Sequence, residues 1–231
     1  MLELRGVTAG YGRSTVIWNV DLSVPAAGAV AVMGHNGAGK TTLLRAAVGL
    51  LPIRSGTITL AGEDVTKWRP NRRVRQGGLA YVPQGQLSFG QMTTMENLQV
   101  VADGRPNGKR KIDEMLDLFP VLKDLLNRKA GLLSGGQRQQ LSIARALITE
   151  PRMLILDEPT EGIQPNVVTE IERVIIELTN SGGLSVLLVE QHVGFALRAA
   201  GTYYVLESGR VTSSGAGGES AMADVRAAMA V

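Results

Sequence analysis

The 231-residue chain contains no cysteine, so disulfides and thiolate metal sites are excluded. A reducing compartment fits that absence. Aromatic residues make up only 4 % of the chain, so its core must be built mainly from Val, Leu, Ile and Ala. No uninterrupted apolar run reaches the roughly 18 residues that a membrane-crossing helix needs. The opening Met1-Leu2-Glu3-Leu4-Arg5 lacks the charged-then-apolar form of a secretion signal. The expectation is a soluble, intracellular protein. A net charge of +3 with no face-wide basic stripe argues against nucleic acid as a partner. The densest basic run, residues 67–75, reads as a connecting segment with a solvated surface. With 44 % apolar and 19 % charged residues, the chain can bury a substantial core as one large α/β domain or as a core with a sizeable subdomain.

The most informative stretch is Gly34-His35-Asn36-Gly37-Ala38-Gly39-Lys40-Thr41-Thr42. It follows the apolar run 29–33 and precedes the apolar-periodic segment 43–51, which makes strand, glycine-rich loop, helix with G-x-x-x-x-G-K-[ST] spacing. Glycines let backbone N–H groups turn inward as an anion nest, and the positive end of the helix dipole points at the same place. Lys40 is placed to reach the β- and γ-phosphates, and the Thr41 hydroxyl to ligate Mg²⁺. A nucleoside triphosphate is the expected ligand.

Around this loop the chain reads as strands at 2–8 and 16–24, the second with period-two alternation of Val16, Trp18, Val20, Leu22 and Val24 and hence antiparallel and half-buried. Ser55-Gly56 marks a turn before a strand at 57–60, and 79–82 is another short strand. Segments 95–101, 112–118, 121–126 and 137–148 have helical periodicity, and 153–156 and 185–189 read as buried parallel strands. A helix at 165–178 starts with Pro at its first turn, 195–200 is helical, and a hairpin turns at Ser208-Gly209. The architecture expected is a P-loop NTPase core of α/β class with an antiparallel β subdomain and an inserted α-helical subdomain. One domain, 1–231, is expected, with 1–85 and 151–231 as the nucleotide-binding part and 86–150 as the helical part.

Two further motifs sharpen the P-loop. Met153-Leu154-Ile155-Leu156-Asp157-Glu158 is an apolar strand ending in two carboxylates: Asp157 suits the Mg²⁺ shell, and Glu158 suits a general base on the attacking water. Leu133-Ser134-Gly135-Gly136-Gln137 puts a second glycine-loosened helix N-terminus in the chain, again suited to phosphate.

With these motifs in this order, the chain resembles the ATP-binding subunits of ABC transporters over essentially its full length. The resemblance implies ATP and Mg²⁺ as cofactors and a head-to-tail pair of ATPase subunits, homo- or heterodimeric. In that pair each P-loop (Gly34 to Thr42) faces the partner's equivalent of Ser134, Gly135, Gly136 and Gln137. It implies adenine stacking by Tyr11, contact of Gln84 with Mg²⁺ or water, and a loop at 85–97 that faces transmembrane permease subunits. The chain would then lie peripherally at the cytoplasmic face of the plasma membrane, linked indirectly to an external solute-binding protein. Two departures from the family pattern stand out. Gln164 replaces the Asp of S-A-L-D-P, and the family's switch histidine position falls on Gln191, with His192 one residue later. Strand register favours Gln191 over His192 as the γ-phosphate contact.

E-G-I-Q-P, V-E-Q-H and Y-V-P-Q-G resemble the smaller ATPase of branched-chain amino-acid and urea uptake systems. Urea and short-chain amides are the first expectation, branched-chain amino acids the alternative. An ATPase of the same superfamily acting on DNA or ribosomes is the competitor of another class. Such proteins carry long coiled-coil insertions, zinc ligands or tandem ATPase halves, and this chain has none of them.

Overall fold

A computed structural model describes residues 1–180 and 183–229. The chain begins with β1 (Leu2–Tyr11) and β2 (Ser14–Val24), paired antiparallel. The alternation expected along β2 holds only from Val20 onward. Ile17 is buried, whereas Trp18 and Asn19 are exposed. Between the pairs Val7–Val20 and Ala9–Ile17, β2 spends one residue more than β1, and Asn19 takes a left-handed φ of 47° there. An extra residue reverses the phase of every side chain beyond it, which is why Trp18 faces solvent.

On the other edge of β1 lies β4 (Ile53–Leu60), followed by β5 (Glu63–Asp64), giving a four-stranded sheet in the order β2-β1-β4-β5. Ser55 and Gly56 lie inside β4 and not in a turn. Gly56 has φ 92°, and a Cβ there would sit 2.5 Å from the carbonyl oxygens of Arg5 and Gly6. The glycine marks a close crossing of two strands.

The second sheet contains β3 (Ala29–Met33), β6 (Leu79–Val82), β7 (Met153–Asp157), β8 (Ser185–Glu190), β9 (Thr202–Glu207) and β10 (Arg210–Ala216), in the order β10-β9-β3-β8-β7-β6. All neighbours are parallel except the β10–β9 hairpin. Every residue of β3, β7 and β8 is buried, as unbroken apolar runs between two covered faces require. Val30, Val32, Ile155, Leu187 and Val189 face a core shared with α1 (Lys40–Val48) and the first sheet. Ala31, Met33, Leu154, Leu156, Val186 and Leu188 face the opposite core.

That opposite core is covered by α3 (Thr94–Ala102), α4 (Gly108–Leu118), α5 (Gly135–Ile148), α6 (Pro165–Asn180), α7 (Val193–Ala199) and α8 (Met222–Met229). Leu98, Ile112, Met115, Leu122, Leu141 and Ile143 from 86–150 belong to the same apolar cluster as the sheet, so the helical segment packs continuously onto the α/β part. Residues 121–126, expected as a helix, form instead a 3-10 segment, Pro120–Leu125, with Leu122 N–H donating to Phe119 C=O at 3.0 Å. Such i→i+3 turns are typical of short connectors. Among the described residues no helix is long and apolar enough to cross a membrane.

The basic run at 67–75 departs most from expectation. It contains α2 (Pro70–Arg75), and Arg73 is only 2 % exposed. Its guanidinium donates to the carbonyls of Ala46 (3.0 Å) and Ala47 (2.5 Å) at the end of α1, and to Thr66 and Trp68. A cation at a helix C-terminus satisfies orphan carbonyls and complements the dipole. Burial lowers the Arg73 pKa to about 10. Only Arg72, over the Trp68 ring at 3.9 Å, and its neighbours show the solvated face expected of the run. Arg73→Ala should destabilise the chain by about 3 kcal/mol in urea unfolding, and Arg73→Lys should recover less than half, because an ammonium cannot fork across four carbonyls.

Candidate nucleotide site

The site is assembled by strand register. Met33 pairs with Glu190, Asp157 with Val189, and Val82 with Leu156, so β3, β8, β7 and β6 end along one edge of the sheet. The segments that follow them therefore leave at the same place, where parallel sheets carry their ligand sites.

From β3 comes the loop Gly34 to Gly39. Gly39, the residue before α1, adopts φ 103° and gives no side-chain cap, which leaves the first-turn N–H groups of α1 available to an anion. Lys40 is 5 % exposed. Its Nζ donates to the carbonyls of Gly34 (2.8 Å) and His35 (3.1 Å) and lies 3.2 Å from Glu158 Oε1. Thr41 and Thr42 follow in the first turn of α1, Thr42 buried and Thr41 half-buried. The loop is buttressed by the β9–β10 turn: Gly209 N–H donates to Ala38 C=O at 2.9 Å, and Trp18 N–H to Gly209 C=O at 2.8 Å. His35 Nε2 contacts the Met229 carbonyl at the end of α8.

From β7 come Asp157 and Glu158. Asp157 is 2 % exposed, and Tyr81 O–H donates to its Oδ2 at 3.1 Å. Its Oδ1 is buried with no hydrogen-bond partner among the described residues. Burial pushes the Asp157 carboxyl above its ordinary range, against the opposing hydrogen bond from Tyr81. An under-satisfied buried carboxylate oxygen suits a metal ion. Glu158 has a left-handed φ of 47°, and its N–H donates to Val189 C=O at 2.9 Å. Its carboxylate receives three groups from three elements: Lys40 Nζ, Gln191 Nε2 at 2.9 Å and Gln84 Nε2 at 3.3 Å.

Gln84, just beyond β6, also donates to Glu161 Oε2 at 2.6 Å. Gln191, just beyond β8, reaches Asn36 Oδ1 at 2.8 Å as well as Glu158. His192 is exposed and precedes α7 as its N-cap. The register that favoured Gln191 thus brings its side chain, and not that of His192, to Glu158. Tyr11, at the end of β1, is 43 % exposed, and its hydroxyl accepts from Arg45 Nη1 at 3.2 Å. The other sequence candidates lie apart. Ser134 caps α5, its Oγ accepting from Gln137 N–H at 3.3 Å while Gln137 Oε1 accepts from Ser134 N–H at 2.9 Å. Among the described residues no hydrogen bond or ion pair joins Ser134, Gly135, Gly136 or Gln137 to the P-loop.

Three contributors escaped sequence reasoning: Tyr81, Glu161 and Glu190. Tyr81 and Glu161 carry no spacing signal of their own. Glu190 did carry one, since an acid that ends an otherwise apolar strand lies on the same sheet edge as Asp157.

A sequence profile described as "ABC transporter" matches residues 17–161. The probable branched-chain amino acid transport ATP-binding protein LivF of Archaeoglobus fulgidus is 39 % identical over 221 residues, covering 95 % of this chain and 93 % of that one. The high-affinity branched-chain amino acid transport ATP-binding protein BraG of Pseudomonas aeruginosa is 36 % identical over 213 residues, 91 % of each chain. A solved structure described as the ADP conformation of an ATP-binding cassette of an ABC transporter superposes with a TM-score of 0.85 at 27 % identity, covering 98 % of this chain and 94 % of that one.

The buried Lys40–Glu158 pair gives a measurable signature. Lys40→Met should destabilise the chain by about 2 kcal/mol in urea unfolding, since it strands the Glu158 charge, and Lys40→Met with Glu158→Gln should recover most of that loss.

Proposed function

This chain belongs to the ABC transporter ATPase family, and on that premise we propose that it is the ATP-hydrolysing subunit of an importer for branched-chain amino acids. The observation carrying the solute class is the near full-length similarity to two proteins named for branched-chain amino acid transport. Neither is named for urea or amides, so the reading drawn first from Glu161-Gly162-Ile163-Gln164-Pro165 gives way to the amino-acid one.

Within that reading, the N–H groups of the P-loop and Lys40 bind the ATP phosphates. Lys40 has two claimants, Glu158 and the incoming phosphates. When it turns to the phosphates, Glu158 Oε1 is released to accept a proton from the attacking water. Gln191 and Gln84 hold the Glu158 carboxylate in place. Asp157 Oδ1, the Thr41 hydroxyl and Gln84 would hold Mg²⁺. Among the described residues no three His, Cys, Asp or Glu side chains gather into a metal cage, so phosphate and water oxygens would complete the shell, as Mg²⁺ prefers. Bound there, the ion would neutralise charge developing on the transferred phosphoryl group. Tyr11 presents its ring to adenine.

Ser134 to Gln137 would close the site of a second ATPase subunit, the same chain or a different one. The segment at 85–97 would take the permease subunits. It exposes Leu87 and Phe89 beside a groove of about 320 Å³ lined by Leu79, Tyr81, Pro83, Leu87 and Arg145. An exposed apolar patch rimmed by polar groups suits a protein partner. The chain would then work peripherally at the cytoplasmic face of the plasma membrane, powering uptake of solute delivered by an external binding protein.

In the complex assembled with its permeases, leucine-, isoleucine- or valine-loaded binding protein should stimulate ATPase activity; stimulation by urea or amides alone would overturn the solute assignment. In the same complex Gln191→Ala should lower kcat by about 10-fold or more, and His192→Ala by less than about 2-fold. The reverse order would move the γ-phosphate contact to His192.

A further inference from the structure

Glu190 is the most buried carboxylate that the reading above leaves without a task. It ends β8 and is 1 % exposed. One oxygen, Oε1, accepts from both the N–H (3.1 Å) and the hydroxyl (2.7 Å) of Thr160. The other, Oε2, accepts from the N–H groups of Gln191 (3.0 Å) and His192 (3.3 Å). No ion pair among the described residues involves it; its charge is held by four neutral donors from two segments. Those segments are the turn that follows Glu158 and the loop that carries Gln191.

We propose that Glu190 is a positioning residue for hydrolysis, a clamp that fixes the Gln191 loop to the Glu158 turn and so holds Gln191 Nε2 against Glu158. The inference rests on the reading of Glu158 and Gln191 given above. The chemistry demands an ionised carboxylate, because only an acceptor-only group with two oxygens can take donors from both sides. A glutamine would keep one acceptor and turn its NH₂ toward two N–H donors on the other side. That would leave buried donors unpaired and push one loop away. An aspartate is one methylene shorter and cannot reach both loops at once. Thr160 is the second half of the device: its hydroxyl makes the shortest of the four contacts, and serine can reproduce that contact while valine cannot.

The test is steady-state ATPase kinetics of the assembled complex, read as kcat and KM separately. Glu190→Gln should lower kcat by about 10-fold or more while KM for ATP stays within about 3-fold, because the phosphate-binding loop is untouched. Thr160→Val should move kcat the same way, and Thr160→Ser should restore it. The double variant Glu190→Gln with Gln191→Ala should be no slower than Gln191→Ala alone, since residues acting as one unit are not additive. Should Glu190→Gln fail to fold, the Thr160 pair carries the test.

Wild-type kcat in Glu190→Gln, or in Thr160→Val, overturns the clamp. Fully additive losses in the double variant overturn it too. A slow Gln191→Ala beside a wild-type-like Glu190→Gln refutes the clamp alone and leaves the reading of Gln191 standing. A silent Gln191→Ala refutes that reading, and with it a clamp that works through Gln191.

Discussion

The in-register parallel pairing of β3, β8, β7 and β6 is the constraint on which everything else depends. β3, β7 and β8 are short runs buried on both faces and β6 is buried at all but Tyr81, so a slip of one residue would turn their side chains into the wrong core. Burial on two sides thereby fixes where each strand stops. The stopping points deliver Gly34, Gln191, Asp157 with Glu158, and Gln84 to one edge. Chemistry at that edge is inherited from hydrophobic packing several residues away.

The charges at the edge are satisfied to different degrees, and the differences separate the three acids. Glu190 has four neutral donors and no cation, and burial raises its pKa. Glu158 shares the Lys40 ammonium and two side-chain amides. Asp157 has one tyrosine hydroxyl and one buried oxygen with no partner among the described residues. A fully satisfied carboxylate stiffens its surroundings, whereas an under-satisfied one is available to a ligand. The roles proposed for the three, clamp for Glu190, reacting group for Glu158 and metal ligand for Asp157, fall in that order of decreasing satisfaction.

How much of this was legible in the sequence depended on the range of the interaction. The P-loop and the strand ending in Asp157 and Glu158 follow from local spacing, whereas the position of Gln191 came from the family resemblance, strand register serving only to set it above its neighbour His192. The bulge at Asn19 was not legible, because it depends on the partner strand's residue count. Nor was the burial of Arg73, a long-range capping of α1 by a residue in a run of visible surface charge. Ser55-Gly56 reads as a turn from composition, yet the close passage of β1 is what requires the glycine. Glu190 lay just past the strand expected at 185–189, and its role was hidden because its four donors come from a segment thirty residues away and from its own successors. The signature Ser134 to Gln137 was visible as a motif, but no hydrogen bond or ion pair among the described residues ties it to the P-loop, so its proposed place over a second subunit's ATP rests on the family resemblance.

The central claim is that strand register focuses Lys40, Gln84 and Gln191 on Glu158 so that this carboxylate activates water. The most direct measurement is ATP binding and single-turnover hydrolysis by the assembled complex carrying Glu158→Gln. ATP affinity within about 3-fold of wild type with hydrolysis slowed by about 100-fold or more is the expected result. Hydrolysis near the wild-type rate, with ATP bound normally, would contradict it and remove Glu158 from the role of base.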